Sequence, residues 1–239
     1  MVPWPFDGVF RARRARQALP HEFRERLRHA RRGFLERPGL GQPLALARFV
    51  ALDLETTGPR MLVDRIISIG AVAVSERTVR HDDAFEALLR QDRSSEVDNI
   101  LVHQIGGQQQ LGGTDPAEAL VRCLEYIGES RVVAFRAEFD ATVFQREVRA
   151  QLGMRAWPRF IDLAALLPAM FPGTNNDSLD DWVRHFSLPP IGRHHAIADA
   201  YATAQMLMIV LEAAPRFGIE TIRDLRDAEQ AQRWLGRRR

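Results

Sequence analysis

The stretch ALDLETTGP, residues 51–59, sets two acids into a run that otherwise reads as a buried strand. Side chains on a strand alternate between faces, so Asp53 and Glu55 share one face, while Leu52 and Leu54 point the other way toward a covering helix. The strand ends at Thr56-Thr57-Gly58-Pro59. That puts the pair near its C-terminal end, the edge where α/β sheets build sites. Two carboxylates there repel each other unless a cation or a proton joins them. An all-oxygen ligand set suits Mg²⁺ or Mn²⁺ better than zinc. Taken alone, the pair also fits exposed strand-end charges, so its meaning turns on whether further acids reach the same edge.

Working outward, RIISIGAVAVSE (65–76) reads as a second strand and DAFEALLR (83–90) as a third, joined by connections short enough for antiparallel pairing. GGQQQLGGTD (106–115) reads as a polar, Gly-rich loop. Asp115-Pro116-Ala117-Glu118 then resembles a capping box with Pro at the first helical position, opening a helix to about Ile127. RVVAF (131–135) is a short buried strand, 139–152 has helical periodicity, and RFIDL (159–163) is a fifth strand. Ser178 caps LDDWVRHF, a long apolar helix covers 196–213, and 219–235 is helical. Strands first and alternating β and α units afterwards predict an α/β fold, a mixed five-stranded sheet flanked by helices.

Two further acids fall where this layout places chain ends at the sheet. VVAFRAEFDATVF sets Asp140 just after a buried strand at the start of a helix, where an acid is also a common cap. RHHAIADAYATAQMLMIVL sets Asp199 in the first turns of the apolar helix, among Ala196, Ala198, Ala200 and Ala202. These small neighbours allow close approach to the sheet. An acid buried there without a counter-charge is costly, and it makes sense if the helix crosses the sheet and aims Asp199 at the cation held by Asp53 and Glu55.

In this order the motifs LDLETTG (52–58), DRIISIGAV (64–72), AEFDATVFQRE (137–147), NDSLDDW (176–182) and HHAIADA (194–200) resemble the DEDDh-type 3′–5′ exonucleases. That family has a ribonuclease H-like fold and includes the proofreading epsilon subunit of bacterial replicative DNA polymerase. The resemblance covers about residues 48–212. It implies that Asp53, Glu55, Asp140 and Asp199 bind two divalent cations, Mg²⁺ with Mn²⁺ substituting, and that His194, five residues before the last Asp, is the general base. His195, four before Asp199, would share its face on a continuous helix, so the family spacing requires His194 to sit on a loop ahead of the helix. Backbone N–H groups of Thr56 and Thr57 can be offered to the sugar or phosphate of the 3′-terminal nucleotide, with a mere turn as the alternative, and the resemblance sets His103, Ile105 and Phe139 beside that nucleotide. For the last three, core packing is the alternative. The chain departs from the pattern at Phe135-Arg136, where His-Asn is frequent, and at His103-Gln104-Ile105-Gly106, where His-Gly-Ile-Thr is usual.

Composition frames the partners. With 46% hydrophobic and 27% charged residues the chain is of ordinary globular make-up. The single Cys123 excludes an internal disulfide and a multi-cysteine metal site, and fits a cytoplasmic setting. No uninterrupted apolar run long enough to span a bilayer occurs, so no membrane partner is expected. Every basic residue is arginine. Residues 1–46 hold ten Arg against four acids, a net of +6, whereas 47–239 hold 23 Arg against 27 acids, a net of −4. The expected organisation is a basic helical N-terminal extension (1–46), an exonuclease domain (47–214) and a C-terminal helical tail (215–239). In the extension, Leu19, Phe23, Leu27, Ala30 and Phe34 form one helical stripe for docking on the body. Its charge suggests a polyanion partner: nucleic acid 3′ ends, single-stranded DNA first and RNA second. The extension also leaves open a polymerase or replication-factor partner. Two other readings stand beside the DNA exonuclease, an RNA trimmer similar to ribonuclease T or oligoribonuclease, and a polymerase-associated adaptor with minor catalysis.

Overall fold

Strand β1, Phe49–Thr56, sits at the middle of a five-stranded sheet, with β2 (Ile66–Ser75) and β3 (Thr78–Leu88) on one side and β4 (Arg131–Ala134) and β5 (Phe160–Asp162) on the other, in the order β3-β2-β1-β4-β5. The first three strands pair antiparallel and β4 and β5 add in parallel, so the sheet is mixed. The computed structural model describes residues 19–36, 38–154, 158–174, 176–189, 192 and 194–236. The Arg-rich run 11–16, the first residues of the extension and the last three residues of the chain lie outside them.

The alternation in β1 sorts the core into two layers. Val50, Leu52 and Leu54 face helices α4 (Pro116–Ile127) and α5 (Glu138–Leu152). Phe49 and Ala51 face α6 (Leu163–Met170), α7 (Leu179–His185) and α8 (Ala196–Ala213). Asp53 and Glu55 continue the second row, so α8 is the helix that covers them. By length and hydropathy α8 would pass for a membrane span, yet 67% of its apolar window is buried inside the protein. It is a core helix whose apolar residues face the sheet and the neighbouring helices.

The extension and the tail both pack on this body. Helix α1 (His21–Glu36) buries Leu27 and Ala30 against α4, with Leu19 buried just ahead of it and Phe23 half-buried; Phe34 has its side chain outside the description. Arg26 pairs with Glu118 at 2.9 Å and Glu125 at 2.7 Å, tying α1 to α4. Helix α9 (Ile222–Gly236) clasps the end of β5. The Asp162 amide donates to Glu229 at 3.1 Å, and Arg233 donates to the Asp162 carboxylate at 3.1 Å.

Two expectations need correcting. The Gly-rich stretch 106–115 is not all loop, since Gly107–Leu111 forms α3, and ahead of it Val97–His103, where no element was expected, forms α2. The third strand starts at Thr78 rather than 83, because Arg80, His81 and Asp82 lie on the outer edge of the sheet, where charged side chains stay in water.

Candidate active site

Three acids meet at the C-terminal edge of β1. Asp53, Glu55 and Asp199 each offer an oxygen, all within 4.8 Å of one another. Asp53 and Glu55 are half-buried and Asp199 is 6% exposed. At that separation each like-charged pair repels by roughly 3 kcal/mol at an effective dielectric of ~20. The donor set is hard oxygen only, which fits a divalent cation of the Mg²⁺ type. The register of β1 against β2 slips between Glu55 and Thr56, a bulge that bends the strand as it leaves the sheet.

What brings Asp199 here is a glycine. Gly70 on β2 is the cross-strand partner of Asp53. A Cβ at Gly70 would fall well inside van der Waals contact with the backbone of Ala196 and Ile197. The first turn of α8 therefore rests directly on the sheet, and the Asp199 amide, bonded at 3.0 Å to the His195 carbonyl, lies in that turn. The alanines predicted to allow close approach are part of the reason. Gly70 is the part the sequence reading passed over, although a glycine inside a strand is a known signal for close backbone approach.

Asp140, in the first turn of α5, is 5% exposed and lies outside the three-acid group. Burial pushes its carboxyl up to about 8, helped by the charges of Glu55 and Asp162 and opposed by hydrogen bonds from its own and the Leu54 backbone. Its contact with the β1 backbone sets it beside the same strand end. An acid that burial keeps protonated this far up the pH scale is one that a nearby cation would ionise. The sign of the linkage follows. Unfolded, the group releases its proton near ~4, but folded it holds the proton to about 8, so metal-free stability falls as pH rises between those values. The expected result is that a divalent cation raises the melting temperature more at about pH 8.5 than at about pH 6, read by circular dichroism with and without chelator. Metal-free stability that rises over that interval would contradict it.

Both histidines precede α8. His195 is its N-terminal cap residue in extended conformation, and His194, with φ of +61°, turns the chain just ahead of it. Both are exposed. A left-handed backbone at a non-glycine residue is uncommon, though His adopts it more readily than most. His195 is close enough to His103 to contribute, after burial, to holding the His103 pKa below its ordinary value.

The sequence model of the RNase_T exonuclease family matches residues 50–207, from the start of β1 through most of α8. The chain belongs to that exonuclease family. It is 30% identical over 185 residues to a DNA polymerase III PolC-type protein of Thermotoga petrophila, a match covering 75% of this chain and 13% of that protein. It is 25% identical over 169 residues to DNA polymerase III subunit epsilon of Aquifex aeolicus, covering 69% and 80% respectively. The chain thus spans about an eighth of the length of the PolC-type relative. Among solved structures, E. coli exonuclease I in complex with a dT13 oligonucleotide shares the fold with a TM-score of 0.62 at 19% identity, over 72% of this chain and 42% of that one.

In this exonuclease-family chain the residues expected at the terminal nucleotide divide into two groups. Ile105 and Phe139 are half-buried at the surface of the fold, and Phe139 packs against the α4–α5 layer. The others are committed to internal bonds. The Thr56 hydroxyl donates to the Gly58 carbonyl at 2.7 Å. The Thr57 amide donates to the Arg65 carbonyl at 2.9 Å, and the Thr57 hydroxyl accepts from the Arg65 amide at 2.9 Å. The Thr57 amide, expected to be offered to a sugar or phosphate, is thus spent on shaping the turn. His103 is 1% exposed and accepts from the Ile105 amide at 2.9 Å, so its ring shapes the loop from within rather than lying on the surface beside a base.

Supports for the exonuclease site that the sequence did not reveal come from distant segments. Asn99 on α2 donates to the Thr56 carbonyl at 2.7 Å, pinning α2 to the end of β1. Arg146 on α5 donates to the carbonyls of Met61, at 2.6 Å, and Asp64, holding the turn after β1 against the helix that carries Asp140. Burial would raise the Asp64 carboxyl, but hydrogen bonds from Arg60 outweigh it and hold it below the usual range, so it stays ionised inside that turn.

Proposed function

We propose that this chain is a metal-dependent 3′–5′ exonuclease that releases 5′-mononucleotides from single-stranded DNA. The observation that carries the reading is the convergence of Asp53, Glu55 and Asp199 at the end of β1. Asp53, on the central strand, would hold both cations, with Glu55 and Asp199 completing one set of oxygens and Asp140 serving the other. Mg²⁺ is the proposed metal, with Mn²⁺ in its place where supplied. When bound, such cations neutralise the scissile phosphate and lower the pKa of water. The chain's own residues do the rest. His194 accepts the proton of the attacking water at an imidazole nitrogen; histidine is the side chain most often used as a general base. Ile105 and Phe139 form the apolar wall on which the terminal nucleotide rests.

The two histidines are separable. Changing His194 to Ala is expected to lower kcat by about a hundredfold or more with KM little changed, in line with the usual worth of a general base, while His195→Ala has a small effect. The reverse outcome reassigns the base to His195.

The same proposal places the protein in the cytoplasm. It gives the protein a polymerase partner, which the names of the PolC-type and epsilon relatives support, reached through residues 1–46. Because Leu19, Leu27 and Ala30 belong to the core, the deletion that tests the extension stops at residue 18.

The reading is tested by digesting end-labelled single-stranded DNA, duplex DNA and RNA with Mg²⁺, Mn²⁺ or EDTA. Stepwise loss of 5′-mononucleotides from the 3′ end of single-stranded DNA, abolished by EDTA, is expected. Digestion of RNA alone moves the substrate class to RNA, and absence of metal-dependent digestion on every substrate overturns the proposal.

A further inference from the structure

Arg136 stands in the turn between β4 and α5 with φ of +55°, exposed, and its guanidinium donates to the Asp177 carbonyl at 2.8 Å. Among the described residues it makes no ion pair. Its place follows from the sheet. β4 runs parallel to β1 with Ala51 opposite Val133, so both strands point to the same edge of the sheet, and Arg136, two residues past the end of β4 at Ala134, stands in the turn that leaves that edge. Four residues later, in the first turn of α5, Asp140 meets the Leu54 backbone of β1. The Asp177 carbonyl belongs to the segment leading into α7, which packs with α8, the helix that carries Asp199. Arg136 therefore bridges two segments at the rim of the acidic edge and keeps donors to spare, since a guanidinium has five N–H groups and one bond uses one of them. A guanidinium anchored by one bond, with no ion pair among the described residues and at the sheet edge where the acids gather, has a complement in a phosphodiester, which it grips in a planar fork.

We propose that Arg136 contacts the substrate strand, binding the non-bridging oxygens of a phosphate upstream of the scissile one. This rests on the exonuclease reading above and assigns one of its strand-binding residues. The anchor on Asp177 holds the guanidinium in place before the strand arrives, so little side-chain freedom remains to be lost on binding. The contact is made to the backbone and carries no base preference.

The test uses the full chain. Arg136→Asn removes the charge while keeping a residue that tolerates a left-handed backbone, and Arg136→Lys keeps the charge and loses the fork. Binding of a single-stranded oligonucleotide is measured by fluorescence anisotropy across a series of salt concentrations in an Asp199→Asn background. Steady-state kinetics are measured without that change on the same oligonucleotide and on the p-nitrophenyl ester of thymidine 5′-monophosphate, which has no upstream phosphate. Arg136→Asn is expected to weaken oligonucleotide binding about tenfold or more, the scale of one hydrogen-bonded charge, and to flatten the log–log salt slope by about 0.7. Its kcat/KM on the oligonucleotide falls mainly through KM and by at least about tenfold more than on the ester. Arg136→Lys retains the salt slope and part of the affinity. An unchanged slope, or equal losses on the two substrates, overturns the assignment and leaves Arg136 as a brace for the Asp177 segment. A wild-type chain that hydrolyses neither substrate overturns the exonuclease reading itself, and the assignment with it.

Discussion

Replacing Asp199 with asparagine is expected to remove turnover while leaving the fold standing. The side chain is 6% exposed and shares a 4.8 Å cluster with Asp53 and Glu55. Asparagine keeps its shape and takes away a charge that repels two others. In chelator the variant should melt at or slightly above the wild-type temperature, because the repulsion of roughly 3 kcal/mol per pair is relieved. With metal the order reverses, since one ligand of the cation is gone. Turnover should drop by about a thousandfold or more, the scale expected when a metal that supplies several kcal/mol of transition-state stabilisation is lost. Single-turnover digestion and paired melting curves measure both. Robust digestion by the variant would remove Asp199 from the ligand set.

Gly70→Ala should be nearly as damaging, by another route. The added methyl has no free space: it meets the backbone of Ala196 and Ile197, which cannot rotate away as a flexible side chain would. Either α8 lifts from the sheet or β2 bends. Overpacking of this kind costs about 1–3 kcal/mol or more, which for a chain of this size lowers the melting temperature by roughly 2–12 °C. The functional loss exceeds the thermal one, because lifting the first turn of α8 carries Asp199 away from the β1 acids, and a shift of an ångström at a catalytic group costs on the order of a hundredfold. Metal-induced stabilisation should shrink in parallel. A Gly70→Ala protein with wild-type melting temperature and wild-type activity would show that the helix does not rest on this glycine.

The elements that build the site were the readable ones. β1 and β2 announce themselves by largely apolar, β-branched-rich runs between turn residues, broken in β1 by the two acids, and α8 by its length and apolarity. Together they are most of what Asp53, Glu55 and Asp199 need. Short elements were not readable. Val97–His103 and Gly107–Leu111 span only one or two turns, too few for a 3.6-residue period to stand out against glycines and glutamines. Charged Arg80–Asp82 concealed the start of β3, since an edge strand need not alternate. Bonds between segments far apart in sequence were invisible for a different reason. Nothing near Asn99, Arg146 or Asp64 signals that each braces the end of β1, and the commitment of the Thr57 amide and the His103 ring to internal bonds is set by register and burial rather than by residue type. Asp140 fell between these cases. Its position after a strand was legible, but the enclosure that raises its pKa was not.

The central claim is that acids from β1, α5 and α8 share divalent cations. Crystals soaked in manganese and recorded at the manganese absorption edge test it most directly. The account predicts anomalous density among the carboxylates of Asp53, Glu55 and Asp199, with a second peak toward Asp140. Well-ordered carboxylates with no anomalous density between them, at a manganese concentration that supports or should support digestion, would contradict it.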